Sequence, residues 1–328
     1  MTPTDVYATT NQEALSSALA MIDLRRFAGK TVPIKLHMGE PGNPCFVRPE
    51  LARLVADAIR HARGHPFLFD TVVAYPGDRS HRRGYERVAQ QHGFTRANVG
   101  CHVVIGERGV RVLEADVPIE VASQIYDADC MLVLSHVKGH IQAGFGGAIK
   151  NLGMGGVTKA SKRRVHSMSM PLHDAHTCTL CGLCVPACPS RALTVDSEWH
   201  INRRACEGCG KCVLACTTGA LQFEHMSLAR GLAISAMACI RNKDVVYVNS
   251  LHNIVENCDC DCSPGRVLCQ DVGYLAGTDA AAVDAASLDL IDQVEPQVFE
   301  RYTGVDPREQ VACAVTLGMN DQYVLHRL

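Results

Sequence analysis

Apolar residues recur in two rhythms along most of this chain. Compact apolar runs at Thr31 to Leu36, Phe67 to Ala74, Val99 to Ile105, Cys130 to Leu134 and Asp244 to Asn249 predict strands. Apolar side chains at three- and four-residue spacing predict helices over Glu50 to His61, Ser80 to His92, Ser227 to Arg241 and Thr278 to Ile291. Strands alternating with helices imply an α/β domain. The alternation stops between residues 170 and 224 and then resumes. The expected organisation is therefore a host α/β domain in two parts, 1–169 and 225–328, with an insertion at 170–224 between them.

The insertion has its own pattern. Cys178, Cys181, Cys184 and Cys188 form a C-x2-C-x2-C-x3-C run, and Cys206, Cys209, Cys212 and Cys216 repeat it 28 residues later. Gly182 and Gly210, Ala192 and Ala220, and Leu193 and Leu221 keep the same offset, which marks an internal duplication. This spacing suits bacterial iron–sulfur ligation, in which the fourth cysteine of each run serves the other cluster. Crossed wiring follows as the expectation. Cys178, Cys181, Cys184 and Cys216 would hold one [4Fe-4S] cluster, and Cys206, Cys209, Cys212 and Cys188 the other. A helix starting near the third cysteine of each run would carry the fourth ligand across. Pro189 follows the fourth cysteine of the first run and Thr217 that of the second, a difference in the turn that removes no ligand. Zinc also binds C-x2-C pairs, but it requires no pair of four-cysteine runs with this period. The insertion thus reads as a two-cluster, ferredoxin-like α+β domain.

Composition narrows the setting. The chain has 328 residues, 47% of them hydrophobic, and a net charge of -2, so it can build a sizeable core and has no global attraction to nucleic acid. No apolar stretch reaches membrane-spanning length and the N-terminus lacks a basic start before an apolar run, so a cytoplasmic protein without membrane or nucleic-acid partners is expected. Seventeen cysteines including two cluster runs fit a reducing compartment, and oxygen-sensitive clusters suggest an anaerobic setting. The oligomeric state is not written in the sequence.

Four segments outside the cysteine runs carry a resemblance: IKLHMGEPGN at 34–43, DTVVAYPGDRSHRRGYERVAQQHGF at 70–94, SHVKGHIQAGFGGAIKNLGMGG at 135–156, and NCDCDC with DVGYLAGTDAAAVDAASLDLI within 257–291. Together they resemble the domain of unknown function 362 family of iron–sulfur proteins. The resemblance implies this fold and an inserted two-cluster segment, and it assigns no substrate. Where that family commonly has Asp-Pro before its last helix, this chain has Asp279-Ala280, which bears on a helix start.

Candidate chemistry outside the runs gathers at predicted strand ends, where α/β sheets bind ligands. His136, Lys138, His140, Lys150 and Asn151 lie among Gly144, Gly146, Gly147, Gly153, Gly155 and Gly156. Glycines allow close backbone approach, and the basic side chains can meet an anion or move a proton. The alternative is a packing connection with solvated polar groups. The glycines do not match a dinucleotide-binding spacing. His37 and Glu40 end the first strand and can act as acid and base or as metal ligands, or they cap a turn. Asp70, Asp78, Arg79 and His81 form a similar group, with Arg79 either an anion clamp or a salt-bridge partner at a helix start. Lys159, Lys162, Arg163 and Arg164, with His166, form either a partner-docking patch or a solvated loop.

Cys258, Cys260 and Cys262 alternate with Asp259 and Asp261, and Cys269 follows. On a strand the three thiols would share a face and in a loop they could converge, so this segment is a candidate for a third metal or cluster, or a redox thiol pair. Cys45, Cys101, Cys130, Cys239 and Cys313 stand singly and read as buried packing residues.

Two functions follow as expectations. The first is an oxidoreductase that relays electrons through the insertion to a host site, where His37, Glu40, His136, His140 and Lys150 hold and protonate a small anionic substrate. The second is an electron carrier whose α/β domain docks a redox partner protein. A third reading, a regulator responding to cluster loss, lacks a DNA-reading helix beside the basic run.

Overall fold

The computed structural model describes residues 2–328. Its centre is an eight-stranded sheet. In chain order the strands are β1 (Thr4–Thr9), β2 (Thr31–Lys35), β3 (His65–Thr71), β4 (His102–Gly106), β5 (Cys130–His136), β6 (Asp244–Leu251), β7 (Gly273–Gly277) and β8 (Tyr323–Arg327). Across the sheet the order is β8-β1-β7-β6-β5-β2-β3-β4. The five strands from β6 to β4 run parallel. β7 runs against both its neighbours, and β8 pairs parallel to β1.

Burial on both faces explains the apolar runs. Every residue of β5 is buried. Met131 and Val133 join one core with Leu152, Ile234 and Val283. Leu132 and Leu134 join the opposite core with Ile34, Leu68, Val55 and Ile59. The helix Pro49–His61 covers the second face with Leu51, Ala52, Val55, Ala56 and Ile59. Leu228–Ile240 and Ala280–Val294 supply residues to the first face. The mixed α/β class expected from the alternation is present.

The differences from expectation are local. The strand expected from Val99 begins at His102, because a short helix Arg96–Val99 ends on Gly100, which adopts a φ of 74°. The helix expected from Ser80 begins at Arg82, with the His81 ring accepting from the Gly84 N–H as its cap. The last expected helix begins at Ala280, and the Asp279 carboxylate caps it by accepting from the Ala281 N–H. β1, β7, β8 and a hairpin of Gly109–Glu114 with Val117–Ala122 were not expected.

Residues 170–224 fold away from the sheet. Pro171–His173 pairs antiparallel with Leu221–Phe223, and Leu193–Val195 pairs with Trp199–Ile201. Cys184, Leu193, Cys212 and Leu221 form a separate small core. The duplication extends to the backbone. Leu180 and Gly208 have φ of 55° and 63°, Gly182 and Gly210 of 76° and 75°, and Arg191 and Gly219 of 50° and 74°. One correction applies: only the second run has a helix at its third cysteine, Lys211–Leu214, whereas the first run makes turns there.

In open α/β sheets a strand order of this kind marks the ligand crevice, here at the carboxyl ends of β5 and β2. From β2 the chain steps outward through β3 to β4, then returns to add β5 and β6 on the other side. The carboxyl ends of strands diverge at such a switch point and leave room for a ligand.

Candidate functional site

The eight cysteines of the two runs divide between two recesses. One is lined by Cys178, Cys181, Cys184 and Cys216 together with Val195, Trp199 and Leu221. The other is lined by Cys188, Cys206, Cys209 and Cys212 with Pro171 and Leu193. Each recess takes three sulfurs from one run and the fourth from the other. Burial, reinforced by Cys209, Cys206 and Cys188, pushes the Cys212 thiol up to about 12. Four thiolates packed this closely repel one another, so the donor set fits a cationic guest with soft-ligand preference. The Cys188 sulfur accepts from the Ala192 N–H at 3.2 Å, and the Cys216 sulfur from the Leu221 N–H at 3.4 Å.

A second concentration of chemistry lines the crevice. Lys35, at the end of β2, is buried and lies 3.0 Å from Asp70 of β3. Its Nζ also donates to Asn151 Oδ1 at 2.6 Å, and Asn151 donates in turn to the Leu134 carbonyl and Ser135 Oγ at 3.0 Å. The glycine-rich stretch thereby ties the ends of β2 and β5 together.

Asp259 is the centre of this arrangement and is fully buried. His136 Nδ1 lies 2.7 Å from Asp259 Oδ1, Lys138 Nζ 3.2 Å from Oδ2, and His37 Nδ1 3.9 Å from Oδ2. Burial opposes the charge on Asp259, but Lys138 and His136 outweigh it and hold the carboxyl down at about 2. The other nitrogen of His136 faces the carbonyl oxygens of His252 and Asn253 at 2.9 and 3.1 Å. Both ring nitrogens are therefore engaged within the protein, and His136 holds the 252–259 loop against β5.

His37 and Glu40 meet through Arg79. Arg79 is wholly buried; it donates to Glu40 Oε2 at 2.7 Å, to His37 Nε2 at 2.7 Å and to the Tyr85 hydroxyl at 3.1 Å. Tyr75 also donates to Glu40, at 2.8 Å. Arg79 is thus neither an open anion clamp nor the partner of a helix start; its donors are spent inside the protein. Burial and the Arg79 cation keep His37 well below the ordinary histidine range, so it is neutral at physiological pH.

His140 and Lys150 meet the Cys258 loop. A group of donor atoms from His140, Cys258 and Cys260 lies within 4.8 Å of one another. Lys150 Nζ donates to Cys258 Sγ at 3.3 Å. Burial would lower Lys150, and the sulfurs of Cys258 and Cys260 outweigh it and hold the ammonium above its usual range. Burial and Lys150 hold His140 neutral. The backbone explains the meeting. The Gly139 N–H donates to the Val255 carbonyl at 2.8 Å, and a Cβ on Gly139 would lie 2.4 Å from the Glu256 carbonyl oxygen.

Several expectations need correction. Cys262 is exposed and stands outside this group, so the three alternating thiols do not share one site; His140 supplies the third donor instead. Lys162 belongs neither to a docking patch nor to a solvated loop. It sits in the helix Lys159–Met168 and donates to Thr71 Oγ1 and the Val72 carbonyl at 2.7 and 2.6 Å, and burial pulls it down to about 7. Cys45 and Cys313 are half-buried, unlike Cys101, Cys130 and Cys239. Asp259, Lys35 and Tyr85 escaped sequence reasoning as site residues, because nothing in a polar loop or at a strand end marks one charge as buried.

The cysteine segment reaches this site through its second run. Glu207 Oε2 accepts from Gln142 Nε2 at 2.8 Å, the Glu207 carbonyl lies 3.2 Å from His166 Nδ1, and the Gly208 carbonyl accepts from Ser169 Oγ at 2.6 Å. Gln142 is two residues from His140, whose Nδ1 accepts from the Ala143 N–H at 3.1 Å.

The family model described as Domain of unknown function (DUF362) matches residues 32–289, which span both the crevice and the cysteine runs. The chain belongs to this family. No curated protein matches it. A crystal structure of a structural-genomics target protein from Thermotoga maritima is similar, at 10% identity with a TM-score of 0.43, covering 90% of this chain and 59% of that one. The lactate racemase apoprotein from Thermoanaerobacterium thermosaccharolyticum is similar at 13% identity and a TM-score of 0.36, covering 75% of this chain and 50% of that one. The DUF362 chain therefore spans 59% and 50% of the lengths of these two solved structures. Among its described residues no helix is long and apolar enough to cross a membrane.

Proposed function

We propose that this chain is a cytoplasmic iron–sulfur oxidoreductase, with two [4Fe-4S] clusters held by the crossed cysteine sets and a substrate site in the crevice between β5 and β2. The observation that carries this reading is the division of eight cysteines into two four-sulfur recesses, each drawing its fourth sulfur from the other run. When bound, such clusters supply one-electron transfer. The protein's own residues supply the rest. Amide donors to Cys188 and Cys216 stabilise negative charge on the sulfurs, which tunes a potential. Lys150 offers a buried cation to a small anion, and the neutral ring of His140 can take or return a proton. His37, His136 and Glu40 position these groups rather than exchange protons with a substrate, since Arg79 and Asp259 occupy them.

The test begins with anaerobically purified protein. About eight iron atoms per chain and the paramagnetic signal of reduced cubanes are expected. Zinc in their place would refute the cluster assignment. With iron content complete, His140→Ala and Lys150→Ala should each lower turnover of candidate small anions.

A second reading, an electron carrier, is favoured by one observation. Leu180 and Leu183 stand exposed beside the recess of the first run, apolar side chains suited to a redox partner protein. If the two variants leave every turnover intact while Leu183→Glu weakens partner reduction, the carrier reading replaces the enzyme.

A further inference from the structure

We propose that His140, Cys258 and Cys260 form a third, mononuclear site for a thiophilic divalent metal ion of the zinc or iron(II) type, independent of the cysteine runs. Three donor atoms lie within 4.8 Å of one another, so small side-chain rotations bring them to the spacing of about 3.5–4 Å that ligands of one tetrahedral ion have. Two thiolates and a neutral imidazole balance a dication in charge, the His140 ring giving up its acceptor contact with the Ala143 N–H when it takes the ion, and this Cys2His set leaves one coordination position for water or a substrate anion. Sites with three protein ligands and an open fourth position are the catalytic kind.

The surrounding structure is built to hold these donors. Cys258 is buried, with Lys150 donating to its sulfur at 3.3 Å. Asp259, between the two cysteines, is fixed by His136 and Lys138 at 2.7 and 3.2 Å, which orients the loop from behind. Asn43 braces the same loop by donating to the Asp261 carbonyl at 2.9 Å. Gly139 seats the His140 backbone against residues 255 and 256, with no room for a side chain. Such outer contacts fix ligand orientation in metal sites. Binding releases the thiol protons of Cys258 and Cys260 to solvent and transfers no electrons.

The experiment uses the full chain with its cysteine runs saturated with iron under anaerobic conditions, titrated with cobalt(II). One equivalent should bind with the intense visible bands of tetrahedral cobalt and a thiolate-to-cobalt charge-transfer band. Cys258→Ser and His140→Ala should each weaken binding by about 100-fold or more, whereas Cys262→Ser should leave it unchanged. The wild-type titration needs no variant to fold: absence of a tetrahedral spectrum overturns the site. Retention of the spectrum in both Cys258→Ser and His140→Ala also overturns it, as does its loss in Cys262→Ser alone. The reduced-cubane signal, recorded on the same samples, reports the cluster assignment separately.

Discussion

Asp259 shows how one residue can organise a site while leaving little trace in the sequence. It lies between two cysteines in a run that reads as polar loop, yet it is fully buried and gathers His136, Lys138 and His37. His140 and Lys150 were legible because basic residues amid glycines at a strand end invite a chemical reading. Their meeting with the Cys258 loop, 108 residues beyond Lys150, was not, although that loop was itself a candidate site. The carboxyl sits at about 2 against an ordinary 3.8, so its contribution to stability is present above 3.8 and is lost as pH falls from there to about 2. That depression corresponds to about 2 kcal/mol. Urea denaturation of Asp259→Asn should show at least this loss at pH 7, and the gap from wild type should narrow below pH 4. Arg79 makes a second test. Removing it leaves Glu40 and the Tyr85 hydroxyl without their buried partner, and Arg79→Ala should cost about 3–5 kcal/mol in the same measurement.

At the scale of elements, legibility followed burial. β5 was readable because it is enclosed on both faces and its sequence is continuously apolar. β8 was not, since it lies at the sheet edge with half-exposed residues that give no clear alternation. β7, the one strand running against its neighbours, begins and ends in glycine and so resembles a loop. The helix Ala280–Val294 was visible by periodicity, and its start is set by Asp279, which accepts from Ala281 N–H at 2.8 Å and from Asn320 N–H at 3.0 Å. Asp279→Ala should lower stability by about 1 kcal/mol or more through the lost cap, measured as a drop in thermal midpoint.

For the molecule as a whole, the cysteine segment is joined at a closed neck. The Met226 and His225 N–H groups donate to the Met168 carbonyl at 3.2 and 3.0 Å, so the chain leaves the α/β body and returns to it at nearly one point. Excising residues 171–224 and joining the ends with a short glycine linker should leave a cooperatively unfolding α/β protein, observed by circular dichroism and calorimetry. Aggregation of the shortened chain would show instead that the body depends on the segment. The neck also gives meaning to one pair of duplicated positions. Leu180 and Gly208 share a left-handed backbone, yet Leu180 keeps an exposed side chain, while any Cβ on Gly208 would lie 2.0 Å from the His166 carbonyl oxygen. The two copies of the duplicated unit thus have a front and a back: the copy pressed against its neighbour has room only for hydrogen at this position, and the outward one has room to present a side chain to a partner.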